Sequence, residues 1–132
     1  MTVSRRNAIA IGVAAIVVVL GLQAFNSFAC YDHTLATFLA AVGIFLVVPL
    51  LPALVSLATA NPLRAVGACL FLAPWLVMAY YTDCVRPYAG GGASMIYVAV
   101  LLWGTPCAVL GALLTGPVLR LVGIRVAART PR

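Results

Sequence analysis

Four long apolar runs divide the chain, and the arginines that flank them fall almost entirely at one set of ends. If each run crosses a membrane once, the other side receives only Arg86 and the two acids, Asp32 and Asp83. The arginines on the first side are Arg5, Arg6, Arg64, Arg120, Arg125, Arg129 and Arg132. Because short, positively charged loops stay in the cytoplasm, this distribution predicts four spans with both termini cytoplasmic.

Each apolar run is close to the ~20 residues that a helix needs to cross a bilayer. The predicted spans cover residues 7–29, 35–58, 63–82 and 95–119. Lipid offers the backbone no hydrogen-bond partners, so the spans must be helical, and short connections make consecutive helices antiparallel. The sequence therefore predicts an all-α membrane protein, a four-transmembrane-helix up-down bundle that forms one integral membrane domain over residues 1–132.

Composition favours membrane lipids over nucleic acid as a partner. The chain is 65% hydrophobic and 8% charged, far below the charge content of soluble domains. The net charge of +6 comes from arginines next to apolar runs, where headgroup phosphates are the nearest anions. The basic tail, residues 120–132, carries Arg120, Arg125 and Arg129 between aliphatic residues. As a helix it would lie on the inner surface and bind lipid phosphates.

Two cysteines lie at the predicted extracytoplasmic ends of spans. Cys30 follows the first span and Cys84 follows the third, in a compartment that favours disulfides. We therefore predict a bridge between them. The alternative is thiol-disulfide exchange, which usually needs a C-x-x-C pair, and the chain has none. Cys69 and Cys107 are interpreted as small buried hydrophobic residues.

Most of the remaining reactive side chains fall in the two extracytoplasmic loops. Asp32, His33 and Asp83 lack the recurrent spacing of a metal site, and Asp83 with Arg86 suits a solvent-exposed ion pair. We expect no metal, no cofactor and no catalytic centre there. The loops instead predict a partner-binding surface, with candidate residues Tyr31, Asp32, His33, Tyr81, Asp83, Arg86 and Tyr88.

The polar residues inside the spans are few and uncharged. Proton-coupled transporters normally keep an ionisable group at mid-depth, and these spans have none there. Gln23 and Asn26, three residues apart on one helical face, are expected to bond to a neighbouring helix or a partner. Prolines within the spans bend helices and free carbonyls that a channel or carrier would use; they are Pro49, Pro52, Pro74 and Pro106.

Three functions stay open on this basis. The preferred hypothesis is a non-enzymatic accessory or partner-binding subunit, or a membrane immunity factor, that meets another membrane protein through its extracytoplasmic loops. A small oligomeric channel or transporter is the first alternative, and a membrane thiol-disulfide oxidoreductase is the second. The use of arginine to the exclusion of lysine, with abundant alanine, indicates a GC-rich bacterial genome, and so a multi-pass protein of the bacterial inner membrane.

Overall fold

The computed structural model describes residues 1–86, 89 and 94–127. Within them lie four helices, each long and apolar enough to cross a membrane, which confirms the predicted number and type of spans. Spans 1 to 4 are Arg5–Cys30, Leu35–Ala58, Arg64–Val85 and Ile96–Leu121. The largest departure from the predicted bounds is the end of span 3, expected at residue 82 and found at Val85. The candidates Tyr88 and Arg129 lie outside the described residues.

All four spans are mainly α-helical, and spans 1, 2 and 3 each also contain a π-helical segment. The α-helices are α1 Arg5–Phe25, α2 Leu35–Ala41, α3 Val47–Ala58, α4 Arg64–Tyr80 and α5 Ile96–Leu121. The π-helical segments are Asn26–Cys30, Val42–Leu46 and Tyr81–Val85. Spans 1 and 2 begin where a hydroxyl caps the first turn. The Ser4 hydroxyl accepts the Asn7 amide at 3.2 Å, and the Thr34 hydroxyl accepts the Thr37 amide at 3.3 Å.

Contacts between the ends of the spans fix an alternating arrangement. The Cys30–Cys84 bridge joins the ends of spans 1 and 3, and we call this the disulfide end. At the opposite, terminal end, the Arg5 guanidinium donates to the Thr59 carbonyl after span 2. The Met1 amine donates there to the Gly123 carbonyl after span 4 at 2.8 Å. Spans 2 and 4 therefore run antiparallel to spans 1 and 3.

Spans 3 and 4 form the closest helix pair. Gly67 and Gly111 face each other so tightly that a Cβ on either would collide with the backbone of the other. Such small-residue contacts let membrane helices approach and gain packing energy. Ala108 and Ala112 are buried, whereas Ala10, Ala14, Ala36 and Ala40 face outward.

The centre of the bundle is apolar. Span 3 buries the largest share of its length among the four spans and contacts each of the other spans. Between the two ends, large apolar side chains fill the interior; they include Val19, Leu46, Leu50, Leu72, Leu76 and Val100. This packed layer separates the polar residues of the disulfide end from those of the terminal end.

The described part of the tail, as far as Ala127, does not form the surface helix considered from the sequence. Span 4 ends at Leu121, and Gly123 has a φ of 75°, which glycine adopts without steric cost. The chain then reverses, and β2 (Arg125–Val126) pairs in parallel with β1 (Thr2–Val3). The tail is thereby held against the N-terminus by backbone hydrogen bonds instead of continuing as an amphipathic helix.

Candidate functional site

The disulfide end holds most of the residues singled out from the sequence. The predicted bridge is present, with Cys30 and Cys84 at a Cα separation of 5.8 Å, within the usual range for a disulfide. Each cysteine lies in a π-helical segment. A π-turn adds one residue, which rotates the following side chains by about 100° around the helix. Both cysteines are thus placed at the ends of spans where the helical winding changes.

The loop after span 1 folds back onto that span. Asp32 has a φ of 50°, in the left-handed region that Asp tolerates better than most residues. The His33 amide then donates to the Ser27 carbonyl at 3.0 Å. This reversal stacks the His33 ring on the Tyr31 ring, with centroids 5.3 Å apart. His33 is therefore half-buried, while Asp32 is exposed at the tip of the turn.

A hydrogen-bonded cluster links three spans beneath this loop. The Asn26 side-chain amide donates to the Leu76 carbonyl of span 3 at 3.0 Å and to the Tyr97 hydroxyl of span 4 at 3.4 Å. The Tyr97 hydroxyl donates to Gln23 Oε1 at 3.2 Å, and the Gln23 amide donates to the Ser27 hydroxyl at 3.3 Å. Gln23 and Asn26 thus bond within the chain, because burial makes an unbonded amide costly.

Asp83 is bonded to a tyrosine and not to the arginine expected from the sequence. The Tyr31 hydroxyl donates to Asp83 Oδ2, so the contact crosses from the loop after span 1 to the end of span 3. Burial, together with this hydrogen bond to Asp83, raises the pKa of the Tyr31 phenol. Arg86 is exposed. The ion pair of Asp83 with Arg86 considered from the sequence is therefore replaced by a Tyr31–Asp83 contact.

The predicted partner-binding residues fall into two groups. Tyr31, His33 and Asp83 are half-buried, whereas exposed positions are occupied by Asp32, Tyr81 and Arg86. The first group surrounds or adjoins a cavity of about 140 Å³ lined by Gln23, Tyr31, His33, Ala41, Phe45 and Tyr97. Of these six described residues, the second group is the more accessible. We call the exposed group, Asp32, Tyr81 and Arg86, the cap residues.

The chemistry available at this end is limited. Within the described part of the chain, no three side chains of His, Cys, Asp or Glu come together as a metal site requires. Cys69 is buried and lies in the same span as Cys84, fifteen positions earlier, or about 22 Å along a helix. It is therefore too far to exchange with the bridge within one chain.

A lateral groove lies between spans 1 and 2 in the half of the bundle nearer the disulfide end. Helix α2 buries none of its residues, unlike any other α-helix of the bundle. Between it and span 1 lies a groove of about 450 Å³ lined by Val17, Leu20, Gly21, Ala24, Phe38, Leu39 and Val42. A Cβ built on Gly21 would meet no atom within 4 Å. The groove is thus apolar, and Gly21 and Ala24 are the smallest residues in its wall.

Sequence reasoning missed Tyr97 and the groove. Tyr97 was not among the candidate residues, yet its hydroxyl bonds to the side-chain amides of both Gln23 and Asn26. Its position at the start of span 4 is the one available signal. The groove forms between two spans, so no local pattern in the sequence indicates it.

Comparison with known proteins gives no relative. No protein-family model, curated protein or solved structure matches the chain.

Proposed function

We propose that this protein is an accessory, partner-binding subunit or immunity factor of the bacterial inner membrane, without an enzymatic centre. The observation that carries the proposal is the unpacked outer half of span 2 beside the groove. A helix without a fully buried residue gains little packing energy from its own bundle. In lipid, the remaining source of packing energy is another helix. The proposed occupant of the groove is a transmembrane helix of the partner.

The shape of the groove suits a helix. Gly21 and Ala24 lie on one face of span 1, so a second helix can approach that backbone closely. The opposite wall carries Phe38 and Leu39, and Phe38 packs on Phe28 with ring centroids 5.2 Å apart. That contact fixes the mouth of the groove at the disulfide end. A helix in the groove would therefore have one end near the Phe28–Phe38 contact.

The rigidity of the disulfide end also supports a docking role. The bridge, the Tyr31–Asp83 contact and the Asn26–Tyr97 contact tie spans 1, 3 and 4 together. Preorganised surfaces bind with a smaller entropic cost. The cap residues are thus displayed on a framework that need not reorganise when a partner binds.

The distribution of arginines suggests how the bundle is oriented in the membrane. We place both termini in the cytoplasm, because the terminal end carries nearly all of the arginines. The cap residues then face the extracytoplasmic side. The packed apolar layer between the ends makes a path through a single bundle unfavourable, which weighs against a monomeric channel.

Site-specific photocrosslinking in native membranes tests the proposal. A benzoylphenylalanine at Leu39, 58% exposed in the groove, is compared with one at Leu102, 63% exposed on span 4. We expect Leu39, and not Leu102, to give a stoichiometric adduct with one other membrane protein. Gly21→Leu, which fills the groove, should abolish it.

Two results would overturn this assignment. An adduct made only with a second copy of the chain favours the oligomeric channel or transporter. Equal labelling from both positions, with lipid as the main product, means that the groove faces bulk bilayer and that the protein has no helix partner there.

A further inference from the structure

A cavity at the terminal end brings three arginines together. It has a volume of about 560 Å³ and is lined by Arg64, Arg120 and Arg125. The other lining residues are Thr59, Ala60, Asn61, Gly116, Leu119, Ile124 and Val126. The chain has two side-chain carboxylates, Asp32 and Asp83, and both belong to the disulfide end. The cavity therefore concentrates positive charge that no acidic side chain of this chain neutralises.

Arg64 is built into this cavity. Its guanidinium lies directly over Gly116, where a Cβ would come within 3.0 Å of Nη2 and 3.3 Å of Nε. Glycine at this position is what allows the guanidinium to lie against span 4. Arg64 Nε is buried and makes no hydrogen bond within the described residues. A buried charged donor without an acceptor is costly, so an acceptor that enters the cavity would be strongly favoured.

The charged cavity adjoins an apolar groove. Leu119 and Ile124 line both of them. The groove has a volume of about 540 Å³ and runs along spans 3 and 4; its wall includes Val66, Leu70, Phe71, Leu114 and Val118. A free inorganic anion would gain no favourable contact with this apolar wall. A phospholipid matches both parts, with a phosphate for the arginines and an acyl chain for the groove.

The paired strands β1 and β2 lie at the junction between the charged cavity and the apolar groove. The Arg125 amide donates to the Met1 carbonyl at 3.0 Å, and the Ala127 amide donates to the Val3 carbonyl at 2.9 Å. Met1 and Val3 also line the apolar groove. The paired termini therefore place Arg125 at the cavity and Ile124 at the boundary, which explains why the tail folds back instead of leaving the bundle.

We propose that the terminal end binds one anionic glycerophospholipid. Its phosphate is held by Arg64, Arg120 and Arg125, and one acyl chain lies in the groove beside Phe71 and Val118. Basic pockets between transmembrane helices are a known way of recognising anionic lipid headgroups. Guanidinium groups suit the task because their fork geometry matches phosphate oxygens. The site is distinct from the groove between spans 1 and 2 and does not depend on the partner.

Native mass spectrometry of the whole protein in dodecylmaltoside tests this site. Phosphatidylglycerol and phosphatidylcholine with identical acyl chains are the probes, and affinity is read from the bound fraction. We expect one tightly held phosphatidylglycerol. Arg64→Gln should weaken its binding at least about fivefold, since each basic residue near a headgroup contributes on the order of 1 kcal/mol. The matched control is Arg6→Gln, which removes the same charge from an exposed residue outside the cavity and should change affinity less than twofold.

A second pair of variants separates the lipid from a free anion and guards against misfolding. Val118→Trp fills the groove and should weaken phosphatidylglycerol without affecting inorganic phosphate. Arg120→Gln with Arg125→Gln alters two exposed side chains, so it keeps the test valid if Arg64→Gln does not fold. The proposal fails if Arg6→Gln matches the cavity variants, if phosphatidylcholine binds equally well, or if Val118→Trp leaves the affinity for phosphatidylglycerol unchanged.

Discussion

At the disulfide end, polar side chains bond to one another, whereas at the terminal end arginines line a cavity without an acid. Asn26 and Gln23 share the Tyr97 hydroxyl, and Asp83 accepts the Tyr31 hydroxyl. At the other end, Arg64 Nε is buried with no hydrogen-bond partner in the described chain. At the disulfide end, His33 Nδ1 and Asp83 Oδ1 are also buried without a partner in the described chain. The two ends of one bundle therefore differ in charge: the disulfide end carries both acids and a hydrogen-bonded network, and the terminal end carries clustered arginines that favour an anion.

The difference teaches where a small membrane protein places its specificity. Satisfied polar groups in lipid contribute rigidity, because separating them exposes donors and acceptors to hydrocarbon. A buried charge without a partner favours ligand binding, because the free-energy cost of removing that charge from water has already been met when the protein folds. The disulfide end is accordingly suited to present the cap residues, and the terminal end is suited to take up a lipid headgroup.

Removing the Cys30–Cys84 bridge is the strongest test of how the disulfide end is held together. For cysteines separated by 54 residues, chain entropy sets an upper limit of about 4 kcal/mol on the stabilisation, and helices already inserted in lipid should show less. We expect Cys30→Ser with Cys84→Ser to lower the free energy of unfolding more than any other change discussed here. Unfolding in mixed dodecylmaltoside and dodecyl sulfate micelles measures it.

Cys107→Ser is the control for that experiment, because Cys107 is a half-buried free thiol. Maleimide labelling of unfolded protein should show two more thiols after reduction than before. If reductant leaves both the labelling and the stability of the wild type unchanged, the disulfide end is not closed covalently and the contrast between the ends loses its main support.

Close packing of spans 3 and 4 should matter next, since no covalent bond holds the terminal half together. Gly67→Ala places a Cβ against the Gly111 carbonyl, and such overpacking costs about 1–3 kcal/mol. Gly43→Ala is the matched control, because a Cβ there meets nothing within 4 Å. It should be neutral or slightly stabilising. Equal losses from both variants in the same micelle titration would show that the helix pair does not hold this half.

Much of this architecture was predictable from the sequence, for a physical reason. The length of apolar runs fixes the number of spans, because the bilayer sets how many residues a helix needs to cross it. The arginines and the two cysteines then suggest which ends lie together. Span 2 was accordingly predicted at residues 35–58 and found at Leu35–Ala58.

What the sequence did not reveal depends on contacts between spans. Asp83 has Arg86 three residues away in the chain, yet its partner is Tyr31 from another loop. The π-helical segments that reposition Cys30 and Cys84 have no local sequence signal. Arg64 was counted only as a topological charge, and its role in the cavity emerges from its contact with Gly116. A local sequence pattern indicates which residues face solvent or lipid, but it does not indicate which residues of other spans they contact.

The smallest expected effect concerns the Tyr31–Asp83 contact, and it depends on pH. Tyr31→Phe should cost about 1 kcal/mol near neutral pH, the typical net value of one partly exposed hydrogen bond. Because burial and Asp83 raise the pKa of Tyr31, the unfolded phenol ionises above its ordinary pKa of about 10 while the folded one stays neutral. The contribution of Tyr31 is therefore complete below pH 10 and declines as pH rises further. Tyr81→Phe, at an exposed ring, should show neither effect. A difference between wild type and Tyr31→Phe that stayed constant from pH 8 to pH 11 would mean that folding does not raise the pKa of Tyr31, and that Asp83 does not hold the phenol in its neutral form.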